Sequence, residues 1–187
     1  MFEPEIGRIV LREANAADSR RLWKWRNEES AREASFNNRV IPYEEHERWF
    51  QSRLGDGRTR ILIAMDAHGW EVGYIRFDLS NESAEISICV DVNHRSRGYG
   101  TVIIRNGSEW ILSARLARRI LARVKVLNRA SLAAFERAGY SRIRRTFVGD
   151  AETWELQYPT MGAAGATNGR RCSKTAQVSR VRNDMRD

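Results

Sequence analysis

Cysteine is scarce in this chain: of 187 residues, only Cys89 and Cys172 carry a thiol. Two thiols so far apart give neither a disulfide framework nor the paired spacing of a zinc site, so no metal is expected and a reducing, cytoplasmic setting is the natural one. No apolar run approaches the roughly 20 residues that a membrane-spanning helix needs. The opening Met1-Phe2-Glu3-Pro4-Glu5 lacks the basic-then-apolar layout of a secretion signal, so a soluble intracellular protein without a membrane partner is expected.

Charge of one sign is in surplus, with a formal net charge of +8, but it is unevenly placed. From 159 to 187 there are six basic residues, Arg170, Arg171, Lys174, Arg180, Arg182 and Arg186, against Asp184 and Asp187, so about half of the excess lies there. That stretch is rich in Gly, Ala, Ser and Thr, shows no sustained apolar period, and reads as a basic, disordered tail. It has few aromatics among its cations and no recognition-helix motif, so a nucleic-acid-binding module is the least supported reading. The remaining 1–158, in a chain that is 42% apolar and 30% charged, suits one globular catalytic domain with a sizeable core.

Along that domain, Ile6, Ile9, Val10 and Leu11 suggest a strand, and Leu22, Trp23, Trp25 and Arg26 fall in a helical pattern. Ser35 to Asn38 reads as a loop. Pro42 suits the first turn of a second helix with His46, Trp49, Phe50 and Arg53 along one face. Strand-like runs follow at Arg60 to Met65, Trp70 to Leu79 and Ala84 to Val92. Ile103, Gly107, Trp110, Ile111 and Ala114 form one helical stripe, and Ile120 to Val126 alternates as a strand. Asn128 caps a helix carrying Leu132 and Phe135 and ended by Gly139, before a hairpin around Gly149-Asp150.

The strongest local signal is Val90-Asp91-Val92-Asn93-His94-Arg95-Ser96-Arg97-Gly98-Tyr99-Gly100-Thr101, where a strand passes through a glycine-punctuated turn into a helix. Such a turn presents unpaired backbone N–H groups at the positive end of the helix dipole, a cradle for a pyrophosphate. Arg95-x-x-Gly98-x-Gly100 fits the Q/R-x-x-G-x-G/A acetyl-CoA signature of the GNAT N-acetyltransferase superfamily. Val124-x-x-x-Asn128-x-x-Ser131-x-x-x-Phe135-x-x-x-Gly139-Tyr140 follows at the spacing that family uses, and over about Arg8 to Tyr158 the chain resembles the family.

The resemblance implies an α/β GNAT fold in the order β-α-α-β-β-β-α-β-α-β-β: a central twisted mixed sheet, splayed at the cofactor site and flanked by about four helices. It implies acetyl-CoA as co-substrate. The pantetheine arm would lie beside Val90 and Val92, with the Val90 N–H at the thioester carbonyl. The pyrophosphate would meet Arg95, Ser96, Arg97, Gly98, Tyr99, Gly100 and Thr101, and the pantetheine would meet Asn128 and Ser131 from the other side. From its own position Asn128 reads equally as a helix cap.

An alkylammonium acceptor has a pKa of about 10 and must lose a proton before it attacks. Glu85, in Ala84-Glu85-Ile86-Ser87-Ile88, stands where related acetyltransferases often carry a strand glutamate and is the candidate base; the same alternation also makes it an ordinary solvent-facing residue. His46 is a weaker base candidate, or a helix-face residue shaping the acceptor pocket. Many family members protonate the leaving thiolate with a tyrosine where this chain has Phe135, which leaves Tyr140, an end-of-motif aromatic of the kind that packs in the core, or water.

The first half is similar to the acetyltransferases of bacterial nonulosonic-acid synthesis, through Trp23-Lys24-Trp25-Arg26-Asn27, Ser35-Phe36-Asn37-Asn38, Ile41 to Phe50 and Gly73-Tyr74-Ile75-Arg76-Phe77-Asp78. That likeness implies a UDP-linked amino-deoxysugar acceptor held by Trp25, Arg26, His46, Trp49 and Arg76, with aromatic stacking and arginine–diphosphate pairing. Trp25, Trp49 and Phe50 read equally as residues that only pack helices on the sheet. A ribosomal-protein-type peptide acetyltransferase is the alternative, and monomer or homodimer is left open.

Overall fold

A computed structural model describes residues 8–159; Ile6, Cys172 and nearly all of the predicted basic tail lie outside the described residues. The chain order is β1 (Val10–Glu13), α1 (Ser19–Asn27), α2 (Glu29–Ala34), α3 (Tyr43–Gly55), β2 (Thr59–Met65), β3 (Glu71–Ser80), β4 (Ser83–Val90), α4 (Tyr99–Ser113), β5 (Arg119–Lys125), α5 (Arg129–Arg137), β6 (Ser141–Val148) and β7 (Ala151–Tyr158). One seven-stranded sheet runs β1-β2-β3-β4-β5-β7-β6, antiparallel except for the parallel pair β4·β5.

Period-two alternation divides the strands between two helical layers. Leu62, Ile75, Phe77, Ala84, Ile86, Ile120, Ala122 and Val124 face α4 and α5, where they meet Ile103, Ile104, Ile111, Leu132 and Phe135. Ile61 and Ile63 face the other way and bury Leu22 and Trp25 of α1 and Phe50 of α3. Gly107 lets α4 lie close on the sheet, for a Cβ there would come 2.7 Å from Ile75 Cδ1. Ile104 and Ser108 complete the buried stripe of α4, and Ala114, at the C-cap, is exposed.

Among the described residues the flanking helices number five, against the about four expected, because α2 follows α1 directly. None of its six residues is buried, so it has no apolar stripe for a periodicity to reveal. It forms because Glu28 caps it, accepting from the Ser30 and Ala31 amides at 3.2 and 3.0 Å. The strand expected over Ala84 to Val92 also ends earlier, at Val90: Asp91 Oδ1 accepts from Asn93 N at 2.8 Å and turns 92–94 into a 3-10 turn.

Candidate functional site

β4 and β5 part company halfway. Their parallel register runs from Ser83↔Arg119 to Ile86↔Ala122, yet β4 continues to Val90 and β5 to Lys125. The Asp91 amide donates to Val72 O of β3 at 2.9 Å, so by the alternation of an antiparallel strand Ile88 and Val90 turn their backbone groups away from β3, into the gap. Gly73 lets β3 hug the far side of β4, where a Cβ would lie 2.4 Å from Cys89 O. The result is a slot with one wall of strand backbone that has no neighbouring strand, able to accept an extended polar chain as a short extra strand.

At the slot's end the chain turns into α4. Ser96 and Gly98 both take left-handed conformations, with φ of +58° and +87°, and the Thr101 and Val102 amides close on Gly98 O at 3.1 and 3.4 Å. The Tyr99 and Gly100 amides precede any intrahelical acceptor and point outward at the positive helix end, a concave anion site made of backbone. A Cβ on Gly100 would stand 3.8 Å from both Val90 Cγ2 and Ala134 Cβ, so this glycine keeps open the space between β4 and α5. Asn128 Oδ1 caps α5 by accepting from Ser131 N at 3.1 Å, leaving its amide N–H groups to donate.

The Arg95 guanidinium is engaged within the protein. Its Nε donates to Val90 O at 2.9 Å, its Nη2 to Glu28 Oε2 at 2.8 Å, and its Nη1 to Ser30 Oγ. Lys125 Nζ donates to Glu33 O at 2.8 Å. Helix α2 is thus tied at its start to the end of β4 and at its end to β5, spanning the two strands where they diverge. Burial alone would raise the Glu28 carboxyl; hydrogen bonds from the Ser30 hydroxyl, Arg95 and the Ser30 and Ala31 amides overcome it and hold the group down to about 2.

The face of the sheet under α1 and α3 carries the remaining predicted residues. Glu85 projects there two residues before Ser87, bound by Arg123 Nε at 3.1 Å and by Arg123 Nη2. Arg76 stands on β3 opposite Ser87, its guanidinium 5.4 Å from the Trp49 ring centroid and 3.0 Å from Asp78 Oδ2. Arg26 donates to Ser35 Oγ at 3.0 Å and to Asn37 O. Trp25, only 8% exposed, stacks on Tyr74 at 6.2 Å and donates to Asp91 Oδ2 at 2.6 Å, pinning α1 to the end of β4.

Other expected site residues take structural places. His46 is 4% exposed, its Nε2 lies 3.0 Å from Ser19 O, and burial holds its pKa below the usual range, so it joins α3 to α1 as a neutral donor. Tyr140 is 3% exposed, with its hydroxyl 2.8 Å from Ser108 Oγ, its ring against Phe135 and Tyr158, and its pKa pushed up by burial. That is the placement of a core residue. Val92 stands outside β4, half exposed in the turn; Ile88, overlooked in the sequence, shares the slot's backbone wall with Val90. Simple alternation back from Val90 points to Ile88. Tyr74 lies in the Gly73 to Asp78 segment of the likeness without being a predicted site residue, and no local motif marks Lys125. Cys89, beneath Trp25, has its thiol pushed up to about 11 by burial.

No group of His, Cys, Asp and Glu among the described residues has the arrangement of a metal site, and no described helix is long and apolar enough to cross a membrane. Among curated protein sequences, none matches this chain. Among solved structures it is similar to a spermidine N-acetyltransferase from Vibrio cholerae in complex with CoA and spermine, with 18% identity, TM-score 0.73 and coverage of 80% of this chain and 94% of that one. It is also similar to an aminoglycoside acetyltransferase in complex with coenzyme A and kanamycin, with 17% identity, TM-score 0.72 and coverage of 82% and 95%. A third likeness is to a putative phosphinothricin N-acetyltransferase, with 20% identity, TM-score 0.67 and coverage of 81% and 98%. At such identities the likeness is one of fold. A model of the acetyltransferase (GNAT) domain matches residues 8–141, which include the parted strands and the glycine turn into α4, and the chain therefore belongs to the GNAT acetyltransferase domain family.

Proposed function

We propose that this enzyme moves the acetyl group of acetyl-CoA to the primary amine of a small molecule, with a UDP-linked amino-deoxysugar as the acceptor, and acts in the cytoplasm. The observation that carries the transfer is the slot between β4 and β5 leading to the amide-lined turn of α4, since a thioester on a long polar arm ending in a diphosphate fits those two features in that order. Acetyl-CoA supplies the activated acyl group. The Tyr99 and Gly100 amides bind the diphosphate, the backbone of Ile88 and Val90 holds the arm in extended form, and Asn128 donates to it from α5. The Val90 N–H stabilises the charge that develops on the carbonyl oxygen.

Glu85 takes the proton from the acceptor ammonium, directly or through one water, while Arg123 fixes its carboxylate. Phe135 has no proton to give, so water protonates the leaving thiolate. For the acceptor, the support is the aromatic lining beside β4, where Trp49 and Tyr74 are half-buried and Trp25 packs behind Tyr74. Assay of the purified protein with acetyl-CoA against UDP-amino-deoxysugars, peptides with free N-termini, spermidine and kanamycin tests both levels. We expect the UDP-amino-deoxysugar to exceed peptides by about 10²-fold in kcat/KM. Efficient peptide acetylation with no turnover of any UDP-amino sugar overturns the acceptor and leaves the transfer standing.

A further inference from the structure

Lysine is rare in this chain, occurring as Lys24, Lys125 and Lys174, and one of the three stands beside the slot. The parallel register of β4 and β5 pairs Ser83 with Arg119 and Ile86 with Ala122. Carried past the point where the strands part, the same offset sets Lys125 level with Cys89, next to Val90, on the opposite wall of the slot. Ile120, Ala122 and Val124 of β5 face α4 and α5, so alternation turns Arg123 and Lys125 to the other side of the sheet. The Lys125 ammonium is found there, where Nζ donates to Glu33 O of α2 at 2.8 Å.

The charges around it are otherwise occupied. Glu85 lies on the same face but is engaged by Arg123, and Glu155, opposite Arg123 in register, is engaged by Arg144. Thr153, opposite Lys125 on β7, is uncharged. No ion pair among the described residues holds Lys125, and its acceptor, Glu33 O, is a neutral carbonyl. Leaving a neutral carbonyl costs an amine far less than leaving a carboxylate. An extended arm filling the slot as a strand would lie about 5 Å from the backbone of β5. That is within the reach of a four-carbon lysine stem. Swung inward from Glu33, the amine meets a thioester carbonyl bound at the Val90 N–H.

We propose that Lys125 is a self-acetylation site: without an acceptor present, its amine takes the acetyl group from acetyl-CoA held in the slot, and the modification unties α2. The inference rests on the reading of the slot as the seat of the thioester. Lys125 first gives one proton to solvent, and its nitrogen lone pair then adds to the carbonyl carbon. The C–S bond breaks as the amide C–N bond forms. A second proton leaves the nitrogen for water and the CoA thiolate takes one back, so the products are acetyl-lysine, free CoA and one released proton. The acetylated side chain is uncharged and bulkier, with a single N–H in place of three donors. Helix α2 buries no residue and is tied by Arg95 at its start and Lys125 at its end, so losing the second tie frees the Glu33 end.

Incubation of the full chain with acetyl-CoA and no acceptor, followed by peptide mass spectrometry, tests the site directly. The reaction is run at neutral and at alkaline pH, where more of any lysine is free amine. Lys24, exposed on α1, reports uncatalysed acetylation by the thioester in solution. We expect Lys125 to be acetylated at least tenfold faster than Lys24, with a rate that saturates in acetyl-CoA and does not depend on protein concentration. Excess CoA should suppress the reaction at Lys125 and spare that at Lys24. Gly100→Val should slow Lys125 tenfold or more at subsaturating acetyl-CoA and leave Lys24 unchanged. The acetylated protein should exchange the amide hydrogens of 31–35 faster than the unmodified chain; Lys125→Gln should do the same, while Lys125→Arg, which keeps a cation for Glu33 O, should not. Acetylation of Lys125 no faster than that of Lys24 at either pH, or without saturation, or at a rate set by protein concentration, overturns the site. Unchanged exchange in α2 overturns its untying. Failure of the protein to bind CoA in isothermal titration overturns the reading of the slot instead.

Discussion

The two sides of the slot are built from different material. On the α4 side the groups proposed to act are backbone: amides of Ile88, Val90, Tyr99 and Gly100, which face outward because a strand lost its neighbour and a helix had just begun. Across the sheet they are side chains, with Trp25 and Arg26 from α1, Trp49 from α3, Tyr74 and Arg76 from β3, and Glu85 from β4. Backbone groups have the same chemistry in every protein, so the first side suits an invariant co-substrate. Side chains can be exchanged one at a time without unmaking the fold, so the second is where an acceptor is chosen.

Breaking the side-chain half at its chemistry should have the largest consequence. Glu85→Gln keeps the size and one hydrogen bond to Arg123 but cannot take a proton; turnover at neutral pH should fall by about 10² or more with CoA affinity unchanged. Steady-state kinetics with isothermal titration decides this, and a variant with near-normal turnover across the pH range makes Glu85 a bystander. Next in size is the contact that joins the halves. Trp25→Phe removes the indole N–H from Asp91 and leaves a desolvated carboxylate, which should lower stability by about 2 kcal/mol in chemical denaturation.

The backbone half is sharpened by a pair of substitutions at one glycine. Gly100→Ala places a methyl at ordinary contact distance, 3.8 Å from Val90 and Ala134, and should bind CoA nearly as wild type does. Gly100→Val adds two further methyls between β4 and α5 and should weaken CoA by at least tenfold, about 1.4 kcal/mol, without unfolding the protein. Equal affinity in both variants would remove this passage from the binding site. The smallest effect concerns the tie between α2 and Arg95. The Glu28 carboxyl is depressed in the fold, from the usual 4.5 to about 2, so its contribution is complete above pH 4.5 and fades as pH falls towards 2. The stability advantage of wild type over Glu28→Gln should therefore shrink across that interval, as followed by thermal melts at stepped pH.

The legible parts of the sequence are those whose cause is local. Gly98 takes a left-handed conformation and Gly139, at φ +104°, ends α5, as their positions suggest; Asn128 caps α5 through a hydrogen bond only three residues long. Strand β5 follows its alternation, because one face is buried and the other is not, whereas β2 is buried almost throughout and β6 is mostly exposed. Most of what escaped rests on contacts distant in sequence. Helix α2 buries nothing and is held by Glu28, Arg95 and Lys125, whose meeting depends on the close of the sheet. Arg95 fits a signature for anion binding, yet its guanidinium serves the α1–α2 corner, since Glu28 lies within reach only in three dimensions.

His46 and Tyr140 teach the same lesson in reverse, for an imidazole and a phenol are chemically able wherever they occur. Burial decides whether they act, and packing on Ser19 and Ser108 makes them structural. By itself, then, the sequence determined the strand and helix pattern, the glycine turn into α4 and the family, because backbone conformation and apolar period are properties of neighbouring residues. Tertiary structure alone decided where β4 and β5 separate, which guanidinium nitrogens remain without acceptors, and which aromatics gather beside β4, because each depends on residues brought together from 25 to 125 by the closing of one sheet.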